Sequence, residues 1–298
     1  MSSLDFEILF IEDDEDFVDS INANLTKFLN NLGFIPRVTI LRGGDFKAAS
    51  ISETTDLILI DLNLSDNIVG SDLIKDIREC KNVSDIIFYS DALADFDNAL
   101  KSLGHLEGVY FCRGRKDLLP KIEALIIKSI KRQQEVSNLR GLVISEAIDL
   151  EAKMSKIIVK FFGLINHPRE GLFYEKILDP EVFMLGKKSD LMGTICKELK
   201  SELTLKVMGA KKGEKEEEKK LLEGINKIHD ECKNIHSEIV EIRDILSHVK
   251  QSDENPKVLK SIIPKYKEVI IDDSWCINAR KNLIKHSKNL DDLSKNIF

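Results

Sequence analysis

Long hydrophobic runs are missing from this 298-residue chain. No stretch approaches the roughly 20 apolar residues that a membrane-spanning helix needs. The opening residues Met1–Asp5 carry neither the basic start nor the apolar core of a secretory signal, so a cytoplasmic protein with no membrane partner is expected. Cysteine is sparse: five residues, an odd number, with no CxxC pair. That pattern excludes a disulfide framework and points to reduced, buried thiols. Glycine-rich Walker loops, GxGxxG and the G-x-S-x-G elbow are all absent, which removes the commonest nucleotide-binding and serine-hydrolase signatures. A strong basic balance is absent too. Residues 1–135 hold 15 Lys+Arg against 24 Asp+Glu, and residues 136–298 hold 29 against 27. The first half is a poor general binder of nucleic acid, and any RNA contact in the second would have to be local.

What is present divides the chain in two. Strand signals at 6–11, 36–41, 57–60, 86–89 and 108–112 alternate with helix signals near 15–31, 45–51, 70–80, 93–103 and 116–134. Five such alternations predict an α/β unit, a five-stranded doubly wound parallel sheet with helices on both faces. Beyond a helical linker near 128–140 no strand is convincing. Segments 136–163, 188–207, 214–250 and 276–296 read as helices, with a short one at 256–270, so an all-α bundle is expected. Domains are therefore expected at 1–132 and 133–298. Within 214–250, Leu221, Ile225, Ile228, Cys232, Ile235, Ile239, Ile242, Leu246 and Val249 alternate spacings of four and three. That seam suits either bundle packing or a homodimer contact. Near 275 a helix starts, with Asp273 or Ser274 as the expected cap.

Chemistry concentrates where two apolar runs end in acid. Ile8-Leu9-Phe10-Ile11 leads into Glu12-Asp13-Asp14, and Leu57-Ile58-Leu59-Ile60 leads into Asp61. Continuous apolar runs suit strands buried on both faces. In an open α/β sheet the carboxyl ends of such strands line the ligand crevice. Carboxylates crowded there repel unless a cation joins them, and an all-oxygen set with room for water suits Mg²⁺.

These residues resemble the receiver domain of two-component response regulators over roughly 5–132. The acidic pair matches Glu12 and Asp13. The phosphoacceptor matches Asp61 in LILIDLNLSDNIVGSDLIKDIR, with Gly70 downstream. The strand-4 hydroxyl matches Ser90 in DIIFYSDA, and the strand-5 aromatic matches Tyr110 in GVYFCR. The resemblance implies that Asp61 takes a phosphoryl group from a cognate histidine kinase. It also implies that Glu12, Asp13, Asp61 and the carbonyl of Asn63 hold Mg²⁺, and that Ser90 and Tyr110 respond. One departure stands out. The family's lysine after strand 5 is replaced by Arg113, and its proline by Gly114, with Arg115 and Lys116 following. Arginine is not a conservative stand-in at a tight phosphoryl site, so Arg115 or Lys116 could substitute. A pseudo-receiver adaptor that takes no phosphate is the alternative.

In the helical half, Arg243-Asp244-Ile245-Leu246-Ser247-His248 matches the short motif of HEPN domains. These are all-α modules that commonly dimerise, and some of them are metal-independent ribonucleases. The segments around 139–163 and 275–290 are similar to HEPN helices of the mannitol-repressor type. The resemblance implies His248 as general base, Arg243 on the scissile phosphate and Asp244 orienting the imidazole. Arg280 and His286 give a second match to the same short pattern. A ribonuclease and a non-catalytic dimerising bundle are both compatible with it.

Overall fold

The computed structural model describes residues 3–104, 106–133, 135–164, 184–209, 215–248, 250–252, 258–260 and 268–296. They form two compact units, Met1–Gln133 and Gln134–Phe298.

In the first unit the strands are β1 (Asp5–Ile11), β2 (Ile35–Leu41), β3 (Leu57–Asp61), β4 (Asp85–Ser90) and β5 (Val109–Arg113). They lie in the order β2-β1-β3-β4-β5, and every pairing is parallel. This is the flavodoxin-like doubly wound sheet. Its strand order reverses between β1 and β3, which opens a crevice at their carboxyl ends. The helices are α1 (Glu15–Leu32), α2 (Gly70–Glu79), α3 (Leu93–Leu103) and α4 (Leu118–Gln133).

The period-2 alternation of strand side chains divides the core into two layers. Phe6, Ile8, Leu57 and Leu59 pack with Val18, Ile21, Leu25 and Leu29 of α1 and with Leu118, Ile122, Ile126 and Ile130 of α4. On the other face Ile58, Ile60, Ile86 and Phe88 pack with Ile74 and Ile77 of α2 and Phe96 of α3. Helix α1 begins where Asp14 accepts the Phe17 N–H and stops at Gly33, whose φ of 77° provides the left-handed cap.

The helix expected at 45–51 does not form. Two 3-10 turns, Gly43–Asp45 and Ala48–Ser50, occupy that crossover. A seven-residue stretch is too short to repay helix nucleation, and it is held from outside, because Asp13 accepts the Gly43 N–H at 3.2 Å. Phe46, Ala48 and Ile51 still pack onto the sheet.

The second unit contains α5 (Val136–Leu164), α6 (Leu185–Gly209), α7 (Lys215–Ile235), α8 (Glu241–His248) and α9 (Asp273–Asn296). The continuous helix expected over 214–250 is interrupted at His236–Val240 by a π-helical turn. The seam residues Ile225, Ile228, Cys232, Ile235, Ile239 and Leu246 are buried. Helix α7 packs along α6 and α9, and α8 along α5, so these six residues are covered inside the unit; Leu221 and Ile242 are half-buried, and Val249 lies outside the described residues. The helix expected at 256–270 is replaced, where described, by strands β7 (Val258–Lys260) and β8 (Glu268–Ile270), which pair antiparallel beside β6 (Lys250–Gln251). Helix α9 is capped by Asp272, which accepts the Trp275 N–H at 2.7 Å, one residue before the expected caps. Cys112, Cys196, Cys232 and Cys276 are buried, and burial pushes the Cys196 thiol up to about 12, which suits packing rather than reactivity. No helix among the described residues is long and apolar enough to cross a membrane.

Candidate functional site

Strand β3 delivers Asp61 to the switch-point crevice with only 5% of its surface exposed. Its Oδ2 accepts the Asn63 N–H at 3.2 Å. Burial, then the neighbouring charge of Glu12, pushes its carboxyl up to about 7. The loop after β3 is folded tightly back. Gly70 donates its N–H to the Leu62 carbonyl at 2.8 Å, and residues 63 and 69 form an isolated bridge. A Cβ at Gly70 would stand 2.0 Å from the Asp61 carbonyl oxygen. Glycine at 70 is therefore a packing requirement of the acceptor strand.

Glu12, at the end of β1, is 3% exposed and fully engaged. Oε1 accepts the N–H groups of Asp13 and Asp14 at 3.0 and 3.1 Å. Oε2 accepts the Tyr89 hydroxyl at 2.7 Å and Nη2 of Arg115 at 2.9 Å. Burial, followed by the Glu12 charge, drives the Tyr89 phenol far up, so it acts there only as a donor. Asp13 turns to the surrounding loops. Its two oxygens accept the N–H groups of Gly43 and Ser65.

Arg115 supplies the positive charge. Gly114, with φ 93°, reverses the chain after β5, a conformation that an L side chain would resist. The Gly114 N–H bonds the Ser90 carbonyl at 2.8 Å, and the Arg115 N–H bonds Asp91 at 2.7 Å. The guanidinium reaches back across the sheet end. Nη1 meets Asp14 at 2.5 Å, Nη2 meets Glu12, and the ring of Phe17 lies 4.2 Å beneath. Its charge also pulls the Asp61 carboxyl partly back down.

The other expected residues lie around this core in different roles. Ser90 is buried, and its hydroxyl accepts the Ala92 N–H at 3.1 Å. Arg113 points to the exposed side and pairs with Asp97 of α3 at 2.6 Å. Tyr110 receives Lys128 on its hydroxyl at 2.9 Å, with the ammonium 5.2 Å from the ring centroid. Sequence reasoning did not single out Tyr89. The one available signal was a phenol directly before Ser90, which alternation turns to the opposite face of β4.

The fit of Mg²⁺ follows from the donor set. Magnesium demands a near-octahedral shell of oxygens. Glu12 gives its lone pairs to four protein donors, and Asp13 gives both oxygens to backbone N–H groups. Among the described residues no group of three His, Cys, Asp or Glu is arranged to hold a metal ion. As arranged, these carboxylates do not fit the ion.

In the helical unit, Arg243 donates from Nε and Nη2 to Asp244 at 3.1 and 2.8 Å. The side chain of His248 lies outside the described residues. His286 on α9 is fully buried, with Nδ1 2.5 Å from Glu231 and Nε2 3.0 Å from Glu238, while Asn289 donates to Glu231 at 2.9 Å. The π turn lies directly before α8 and carries Glu238. Burial would raise the Glu238 carboxyl, but hydrogen bonds from Lys285 and His286 outweigh it and hold it low.

The first unit thus defines a doubly wound protein with a buried carboxylate at its switch point. Among solved structures, the chain is similar to the crystal structure of a response regulator receiver domain protein (CheY-like) from Methanospirillum hungatei JF-1. The identity is 20% and the TM-score 0.31, over 43% of this chain and 98% of that one. No protein-family model and no curated protein matches.

Proposed function

We propose that the chain is a response regulator: its sheet unit, the receiver, accepts a phosphoryl group on Asp61 from a histidine kinase and conveys the change to the helical unit, its output module. The observation that carries this reading is the placement of Asp61. It is a buried carboxylate on the central strand, at the switch-point crevice, beside one arginine and held near neutrality. Phosphoryl transfer asks mainly for positioning and charge neutralisation. Asp61 attacks the phosphorus, the Asn63 N–H steadies its second oxygen, and Arg115 provides positive charge beside the acidic cluster. The bond from phosphorus to the donor nitrogen breaks and the imidazole leaves. Glu12 and Asp13, two of the residues expected to ligate Mg²⁺, are engaged with protein donors instead. A phosphoryl group would add about −1.5 to −2 of charge next to the Arg115–Glu12–Tyr89 network, enough to compete for the guanidinium.

Incubation with acetyl phosphate followed by intact-mass measurement tests the reading. The expected result is one added phosphoryl group that is absent in Asp61→Asn; an unchanged wild-type mass counts against it. A specific observation favours the adaptor as a second reading. Arg113, which stands where the family's lysine is expected, is paired with Asp97 and so is otherwise occupied. The ribonuclease and the homodimer remain expectations from the sequence, with Arg243 tied to Asp244 and most of the seam buried within the unit.

A further inference from the structure

We infer that Arg115 is a built-in counter-ion that takes the place of a divalent metal in the acidic crevice, and that removing its guanidinium would turn the crevice into a divalent-cation site. The proposal deepens the acceptor reading and rests on it for what the crevice does. Its test uses no phosphodonor.

Three contacts fix the guanidinium: Asp14 on one fork tip, Glu12 on the other, and the Phe17 ring below. The side chain is only 25% exposed. A planar fork bonded at two tips and stacked on an aromatic face loses little further entropy in holding that pose. The backbone enforces it through the left-handed turn at Gly114 and the Asp91 bond to the Arg115 N–H. The guanidinium therefore belongs to the fold of this crevice.

A divalent ion entering would need carboxylate oxygens that already accept hydrogen bonds. It would also stand beside a fixed positive charge. Mg²⁺ gives up its water reluctantly and would gain little by the exchange. With the guanidinium gone, Glu12 would keep Tyr89 and the two backbone N–H groups but lose the one cation paired with it among the described residues, and so would Asp14. Crowded carboxylates without a counter-ion are the condition under which a hydrated divalent cation binds. The same arithmetic makes acceptor chemistry at Asp61 insensitive to chelators, because the neutralising charge is covalently attached.

The test is Mn²⁺ binding to the full chain, followed by electron paramagnetic resonance of the free ion. Wild type and Arg115→Lys, which keeps the charge, are expected to leave the free signal undiminished at millimolar metal. Arg115→Ala is expected to remove one Mn²⁺ per chain, at least about tenfold more tightly than wild type. Arg115→Ala/Asp61→Asn is expected to lose that site. Saturable Mn²⁺ binding by wild type that disappears in Asp61→Asn overturns the inference, as does a folded Arg115→Ala protein that binds no metal. If Arg115→Ala does not fold, the wild-type, Arg115→Lys and Asp61→Asn measurements still decide it. A protein with this metal pattern but no phosphoryl adduct would sink the acceptor reading and leave the counter-ion standing; the reverse combination would do the opposite.

Discussion

A carboxyl group pushed up to about 7 is held in the fold against its solvation preference, and the cost has a defined pH window. In the unfolded chain Asp61 ionises near 3.8. Below that value it is protonated in both states and costs nothing. As pH rises from there toward 7 the unfolded state gives up its proton first, so stability is lost, and above about 7 the loss is complete. Asp61→Asn removes the titration. Its thermal midpoint should exceed that of wild type by several degrees at pH 8, with the advantage shrinking toward pH 4. A difference that is constant with pH would contradict this. Tyr89→Phe tests the other side of the network. It leaves the Glu12 carboxylate short of one buried donor, a loss of about 2 kcal/mol by urea denaturation, whereas an unchanged midpoint would mean that the hydroxyl is dispensable.

At the scale of elements, the five strands were legible because parallel strands buried on both faces write continuous apolar runs, and Leu57–Asp61 is buried throughout. Asp61 and Glu12 were legible for the same reason, as charges placed where a run stops. Side-chain direction past a strand end was not. Arg113 and Arg115 differ in the sequence only by two positions, but the positive φ of Gly114 sends one to Asp97 and the other over Glu12. The strands of the second unit, two or three residues each, are too short to carry a period, and the π turn leaves no compositional mark. Two substitutions probe these elements. Gly70→Ala forces a methyl group onto the Asp61 carbonyl and should destabilise the sheet unit by about 3 kcal/mol, seen as a lowered denaturation midpoint; a wild-type midpoint would mean that the loop after β3 yields freely. His286→Ala removes the buried imidazole that bonds Glu231 and Glu238 and should cost about 3 kcal/mol in the unfolding of the helical unit. A smaller cost, on the order of 1 kcal/mol, would show that Asn289 alone satisfies the carboxylate.

Across the whole molecule, the two units carry different kinds of buried charge. The sheet unit keeps a buried carboxylate at the switch point of its sheet, with one arginine bridging the neighbouring Glu12 and Asp14. The helical unit encloses a glutamate–histidine–glutamate chain between α7, the π turn and α9, where it ties helices together. The functional proposal rests on the first arrangement. The most direct measurement is chemical trapping of the acyl phosphate. After treatment with acetyl phosphate, borohydride reduction of a phosphorylated aspartate gives homoserine, which peptide mass spectrometry locates. The account predicts homoserine at position 61, formed equally with and without chelator. Unmodified Asp61, or homoserine at Asp13 or Asp14 instead, would contradict it.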